Sequence, residues 1–317
     1  MIRFDLTIEL DYTVVQPADF VFNIHPVDTQ QQRVTWEALK LSPDLEYRLE
    51  TDSLYGNRHL RLCAPVGPLH LKYDAIVDVE HFFEVPGNIP EVPIRELPAD
   101  ILQFVYPSRY CQSDRLMAVA HQEFAAMEPG YQRVQAIRDW VFARTRFQAG
   151  TTHSKTSAMD TYRDQVGVCR DFAHLMIAVC RGLNIPARFV TSIDYGADAA
   201  LGPTDFHAYV EVYLGERWYI FDPTGISPRM GLLRIATGRD ASDVAFATIF
   251  GSVISAIPKI RIEAEDDELA GLVAPVRQDY ALSTSPGQVD APVLDVRALP
   301  PSVFAGQPAA VRTPANA

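Results

Sequence analysis

Cys169 stands where a glycine-containing loop, Gln165-Val166-Gly167-Val168, meets a stretch of helical apolar periodicity. That is a favourable place for a nucleophilic thiol. A helix N-terminus carries positive potential, which favours thiolate over thiol. The free N–H groups of the first turn, that of Cys169 included, can donate to a developing oxyanion. One location thus offers a nucleophile and part of an oxyanion hole. Free cysteine is also commonly a small buried core residue, and Cys169 alone is compatible with that role.

A thiol nucleophile needs a base, and two histidines compete for the part. His174 lies five residues beyond Cys169, a rotation of about 140° on a helix. It leaves on a different face, so a structural role is expected for it. The same geometry weakens any metal site made from the two. His207 opens an alternating run, Phe206-His207-Ala208-Tyr209-Val210-Glu211-Val212-Tyr213-Leu214. His207, Tyr209, Glu211 and Tyr213 share one face, and Ala208, Val210, Val212 and Leu214 the other. Gly215-Glu216 then turns the chain into Arg217–Phe221. Glycine first in a two-residue loop suits a II′ turn. That turn pairs Leu214 with Arg217, Tyr213 with Trp218 and Tyr209 with Asp222. Asp222 then becomes a diagonal neighbour of His207, about 7–8 Å away at Cα. A carboxylate there can fix the imidazole tautomer and stabilise the imidazolium. A slip of one residue would send Asp222 to the opposite face. Hairpin geometry therefore leaves two readings open: a base with its orienting carboxylate, or a surface histidine beside an unrelated aspartate.

The elements that must hold these residues read as α+β. Residues 1–105 form a β-rich N-terminal domain. Leu60–Cys63, Leu69–Tyr73 and Ala75–Glu80 alternate in polarity, and Tyr55-Gly56-Asn57 marks a turn. Pro86, Pro90, Pro93, Pro98 and Pro107 punctuate the boundary. A catalytic domain covers 106–262. Helices are expected at 114–126, with Ser113 as cap, at 131–144, and from Cys169 to a C′ Gly182. Strands follow at Ala187–Ile193, Phe206–Leu214 and Arg217–Phe221. Residues 263–317 read as an acidic, proline-rich tail, disordered or lying on the surface as an arm.

Composition narrows the partners. The net charge of −12 repels nucleic acid and anionic membrane, so neither is expected as a main partner. No apolar run nears the roughly 20 residues of a membrane span. The N-terminus lacks the basic and apolar regions of a secretory leader, and a cytoplasmic protein is expected. Four scattered cysteines, with no CxxC pair, fit free thiols in a reducing compartment. No cofactor or metal is indicated, and no DxDxDG calcium loop occurs.

At the blocks Gly167–Leu175, Gly182–Arg188, Phe206–Val212 and Trp218–Thr224 the chain resembles the transglutaminase-like superfamily, which shares the papain-like cysteine-enzyme core. The order Cys–His–Asp and its spacing fit that pattern. The β region with Tyr55-Gly56-Asn57, and Thr237–Ala245, resemble bacterial members, so the likeness spans about residues 1–262. The resemblance implies a papain/transglutaminase-like core behind a β-rich N-terminal domain, with Cys169 as nucleophile, His207 as general base and acid, and Asp222 as orienting residue. It implies attack on a carboxamide or peptide carbonyl, and a thioester resolved by water or by an amine. A cysteine hydrolase acting on a peptide or protein is the leading expectation. A transglutaminase joining Gln to an amine, or a non-catalytic binding protein on the same core, are the alternatives. Gln165 stands as a second oxyanion donor or as a loop-structuring residue. Tyr209 departs from the family's usual Trp after His-Ala.

Overall fold

The computed structural model describes residues 1–198 and 204–285. The N-terminal strands are β1 (Ile2–Val14), β2 (Ala18–His25), β3 (Gln32–Ser42), β4 (Tyr47–Thr51), β5 (Arg58–Ala64), β6 (Gly67–Val79) and β7 (Phe82–Glu84). Alternation decides their packing. In β1 every second residue from Ile2 to Leu10 is buried, and Leu69 to Val79 of β6 repeat the pattern. Ala18, Phe20 and Phe22 of β2 face them, with the Tyr12 ring 5.3 Å from Phe20 and 5.9 Å from Phe22. The two inner faces interdigitate as in a β-sandwich. Gly56, at φ 72°, closes the expected turn before β5.

Three short 3-10 turns occupy the proline-rich connector. Then come α1 (Ser113–Phe124), α2 (Tyr131–Arg144), β8 (Arg146–Phe147), α3 (Ala158–Asp164), β9 (Val166–Gly167) and α4 (Cys169–Gly182). Gln112, not Ser113, is the N-cap of α1; Ser113 is buried within its first turn. The helix α3 was not expected; its sequence is too short to show a helical period. Gly182 is also not the C′ residue. It is the last residue of α4, and a Cβ there would lie 3.1 Å from Ala120 Cβ and 3.3 Å from Met117 Cα. Glycine is required for the close approach of α1, and Asn184, at φ 60°, takes the left-handed position instead.

The core sheet is antiparallel, in the order β12 (Arg217–Phe221), β11 (Phe206–Leu214), β10 (Ala187–Asp194), β13 (Leu232–Gly238). It follows the helices in sequence, as expected of the α+β class, and α4 packs on β10 and β11. The chain then returns to the sandwich. β14 (Ala247–Phe250) pairs with β2, while β15 (Val253–Ser255) and β16 (Lys259–Glu265) both pair with β1. Glu263 and Glu265, taken in the sequence as the start of an acidic tail, alternate with Ile262 and Ala264 in β16. Ile262 sits opposite Leu6. Residues 266–285 form an arm that ends in β17 (Ala281–Ser283), paired with β7. The tail reading beyond 285 lies outside the described residues.

Two polar side chains tie sandwich to core. Asn57 makes both amide bonds to the backbone of Thr237, at 2.8 Å each. Gln32 bonds the Arg234 backbone at 2.7 and 3.0 Å. All four residues are buried.

Candidate active site

Cys169 is the first residue of α4, and local hydrogen bonds fix it there. The Val168 N–H donates to Asp171 Oδ2 at 2.9 Å, so the carboxylate caps the helix start from inside. Gly167 makes room for this: a Cβ there would lie 2.7 Å from Asp171 Cβ. β8 and β9 pair in parallel and brace the loop, with Arg146 N–H donating to Gln165 O and Gln148 N–H to Gly167 O, each at 2.9 Å. Gln165 closes α3 in the left-handed conformation, and its side chain is exposed. The loop-structuring role fits it. Asp171 escaped sequence reasoning, because its partner is the Val168 backbone and no Ser or Thr cap advertises it.

The β11–β12 register is the expected one, from Leu214 opposite Arg217 to Val210 opposite Phe221. The turn itself differs. Gly215 and Glu216 both have positive φ, 50° and 67°, which makes it type I′ rather than II′. Both turns have two residues, so the register survives. The ladder ends at Phe221, and Asp222 lies one residue past it.

This places His207 Nε2 3.5 Å from Asp222 Oδ1, with both residues 4% exposed. At that distance the contact is an ion pair rather than a close hydrogen bond. Among the described residues neither Nε2 nor Asp222 Oδ2 has another hydrogen-bond partner, so a small rotation can tighten it. With Nε2 on the aspartate side, Nδ1 is the nitrogen left to serve the Cys169 thiol. Sγ lies 4.0 Å from the carbonyl oxygen of Phe206, the residue before His207, and its proximity favours the imidazolium. Burial opposes the imidazolium most strongly. Asp222 and then Cys169 outweigh it, and the His207 pKa is raised well above its ordinary value. Burial likewise pushes the Asp222 carboxyl up, but His207 and Thr224 more than reverse this and hold it below the carboxylate range. The structure therefore brings Cys169, His207 and Asp222 together, with the half-buried sulfur as the accessible member.

His174 is elsewhere. It is fully buried, its Nε2 accepts the Ala241 N–H at 3.1 Å, and its ring stacks on Tyr110 at 5.0 Å. Burial lowers its pKa to about 3. It is a neutral core residue that pins the 240–242 turn. Tyr209 is fully buried, its hydroxyl 3.5 Å from Glu211. A cavity of about 520 Å³ borders Asp222, but neither Cys169 nor His207 lines it. Among the described residues no group of three or more His, Cys, Asp or Glu is placed to hold a metal, and no helix is long and apolar enough to cross a membrane. The sequence places the pocket walls in loops such as 196–205 and in the N-terminal domain, and residues 199–203 lie outside the described residues.

Residues 118–223, which contain all three site residues, match the family model of the transglutaminase-like superfamily, and residues 2–100 match that of the bacterial transglutaminase N-terminal domain. The chain belongs to the transglutaminase-like superfamily. Within it, the fold is similar to the crystal structure of a protein from Cytophaga hutchinsonii named a "Putative Cysteine Protease". The two share 37% identity and a TM-score of 0.83 over 90% of this chain and 98% of that one. The uncharacterized protein ML0607 of Mycobacterium leprae is 29% identical over 194 residues, 58% of this chain and 68% of its own. Family and structural neighbour together support cysteine-based catalysis.

Proposed function

We propose that the protein is a cysteine hydrolase of peptide or amide bonds, with Cys169 as nucleophile, His207 as base and acid, and Asp222 as the group that orients His207. The observation that carries this reading is the convergence of three elements on one site. The thiol heads a helix, the imidazole is buried beside it, and a carboxylate lies 3.5 Å from the far ring nitrogen.

The chemistry follows from those positions. His207 takes the thiol proton, and Sγ attacks the carbonyl carbon. The oxyanion forms near the N–H groups that head α4, which have no acceptor within the helix. His207 then protonates the leaving nitrogen as the C–N bond breaks, leaving a thioester on Cys169. Water, deprotonated by His207, attacks the thioester and releases a carboxylic acid and the free thiol. Asp222 keeps its charge throughout and stabilises the imidazolium of each step.

Incubating the protein and a Cys169→Ala variant with a mixed peptide library, with and without a primary amine, tests this. New peptide termini made by the wild type alone support the hydrolase. Incorporation of the amine in place of cleavage would move the assignment to transamidation. Equal products from Cys169→Ala would remove Cys169 from the chemistry.

A further inference from the structure

We infer that Thr224 is a positioning residue for the catalytic pair, holding the Asp222 carboxylate in the orientation that His207 needs. This rests on the assignment of Cys169, His207 and Asp222 above. Asp222 lies beyond the last ladder pair of β12, so no strand partner fixes it. Thr224 takes over. Its N–H donates to Asp222 Oδ1 at 2.9 Å and its hydroxyl to the same oxygen at 2.7 Å. The hydroxyl oxygen accepts the Ile226 N–H at 3.4 Å, so its single proton is committed to Asp222. Thr224 is 4% exposed. Two bonds converge on the carboxylate oxygen that faces His207 Nε2. They fix its rotation and stabilise its charge. Pro223 between them removes a backbone donor and restricts the chain, which keeps the turn tight.

The hydroxyl can be deleted while the backbone N–H bond to Asp222 is kept. Thr224→Val keeps the branch and the N–H bond; it removes the second donor and, with it, the long 3.4 Å contact that the hydroxyl oxygen accepts from the Ile226 N–H. The other titratable and charged groups of the neighbourhood are untouched: Cys169 beside the imidazole, Asp205 two residues before His207, and Arg138, Asp139, Arg229, Arg277 and Asp279 around the cavity that borders Asp222. A less firmly held carboxylate stabilises the His207 imidazolium less, so His207 gives up its proton at lower pH. Iodoacetate reports this without a known substrate. It alkylates the Cys169 thiolate, and as an anion it is attracted by the imidazolium. The rate should fall on the alkaline side as His207 deprotonates.

The experiment measures Cys169 alkylation by iodoacetate against pH for the wild type, Thr224→Val, Thr224→Ser and His207→Ala, with thermal melts alongside. The expected result is an alkaline limb moved down by about half to one pH unit in Thr224→Val. Thr224→Ser should restore it, and His207→Ala should lack it. A purely structural threonine would change the melting temperature and leave the limb in place, and that result would overturn the inference. If His207→Ala kept the wild-type limb, the assignment of His207 would fall and the role of Thr224 with it. Should Thr224→Val not fold, Thr224→Ala, which also keeps the N–H bond, is read the same way.

Discussion

Four cysteines share this chain, and their surroundings separate them. Cys111 and Cys180 are fully buried, and burial pushes the Cys111 thiol up to about 12 and the Cys180 thiol up as well. Cys63 is exposed, but its hydrogen bond to Asp19 raises its pKa too. Cys169 alone is both accessible and close enough to an imidazole to favour its charged form. Iodoacetamide at neutral pH should therefore modify Cys169 first, by peptide mapping, and His174→Ala should not slow that reaction if the variant folds. Labelling of Cys63 at the same rate would count against an activated Cys169. Much of this was legible in the sequence. Helical rotation weighed against His174, and a two-residue turn made His207 and Asp222 expected diagonal neighbours while leaving their role open. Thr224 and Asp171 were not assigned roles, because each works on a neighbour's backbone or carboxylate within a turn that no periodicity describes.

At the scale of elements, β11 shows where sequence patterning stops. Its alternation suggested one packed face and left an exposed histidine as an open possibility. Every residue from His207 to Leu214 is buried. The cover comes from far away in the chain. Leu97, Ile101 and Phe104 of the connector pack on Tyr213 and Trp218, and the arm brings Ser285 between Arg188, Arg217 and Arg234. Glu211, fully buried, is the carboxylate that pairs Arg188 and Arg234, at 3.5 Å for the latter. A strand cannot announce such partners: the two arginines lie 23 residues from Glu211 on β10 and β13, and Ser285 lies over 50 residues from each arginine it meets. Removing one member of a buried ion pair leaves the other charge unpaired. Glu211→Gln should thus lower stability by about 3–5 kcal/mol in urea unfolding. A loss under about 0.5 kcal/mol would show that the arginines are satisfied without it.

For the whole molecule, the sandwich and the core share one chain that crosses between them more than once. The alternation of β1 and β6 was readable as strands. The return of β14, β15 and β16 was not, because pairing partners are a non-local property and the acidic side chains of β16 masked its alternation. The same packing buries four histidines, and three of them have lowered pKa values. Burial is the main cause that lowers His25 to about 4, His81 to about 3 and His174 to about 3, against 6.5 in an unfolded chain. Below pH 6.5 the unfolded chain takes up these protons and the native one does not. Stability should fall as pH drops from about 6.5 toward 4. His207 has the opposite sign. Its stabilisation is complete below 6.5 and is lost only as pH rises through its raised value, so it does not offset the acid loss. The melting temperature should decline steadily between pH 7 and 4. A flat or rising profile would mean that these histidines are not held neutral.

The central claim is that Cys169 carries the acyl group during turnover. The direct measurement is acid quenching of the protein during reaction with a peptide that it cleaves, followed by intact-mass and peptide mapping. The account predicts a hydroxylamine-labile acyl adduct on Cys169, absent from Cys169→Ala along with cleavage. Cleavage that persists in Cys169→Ala, or an adduct mapped to a different residue, would contradict it.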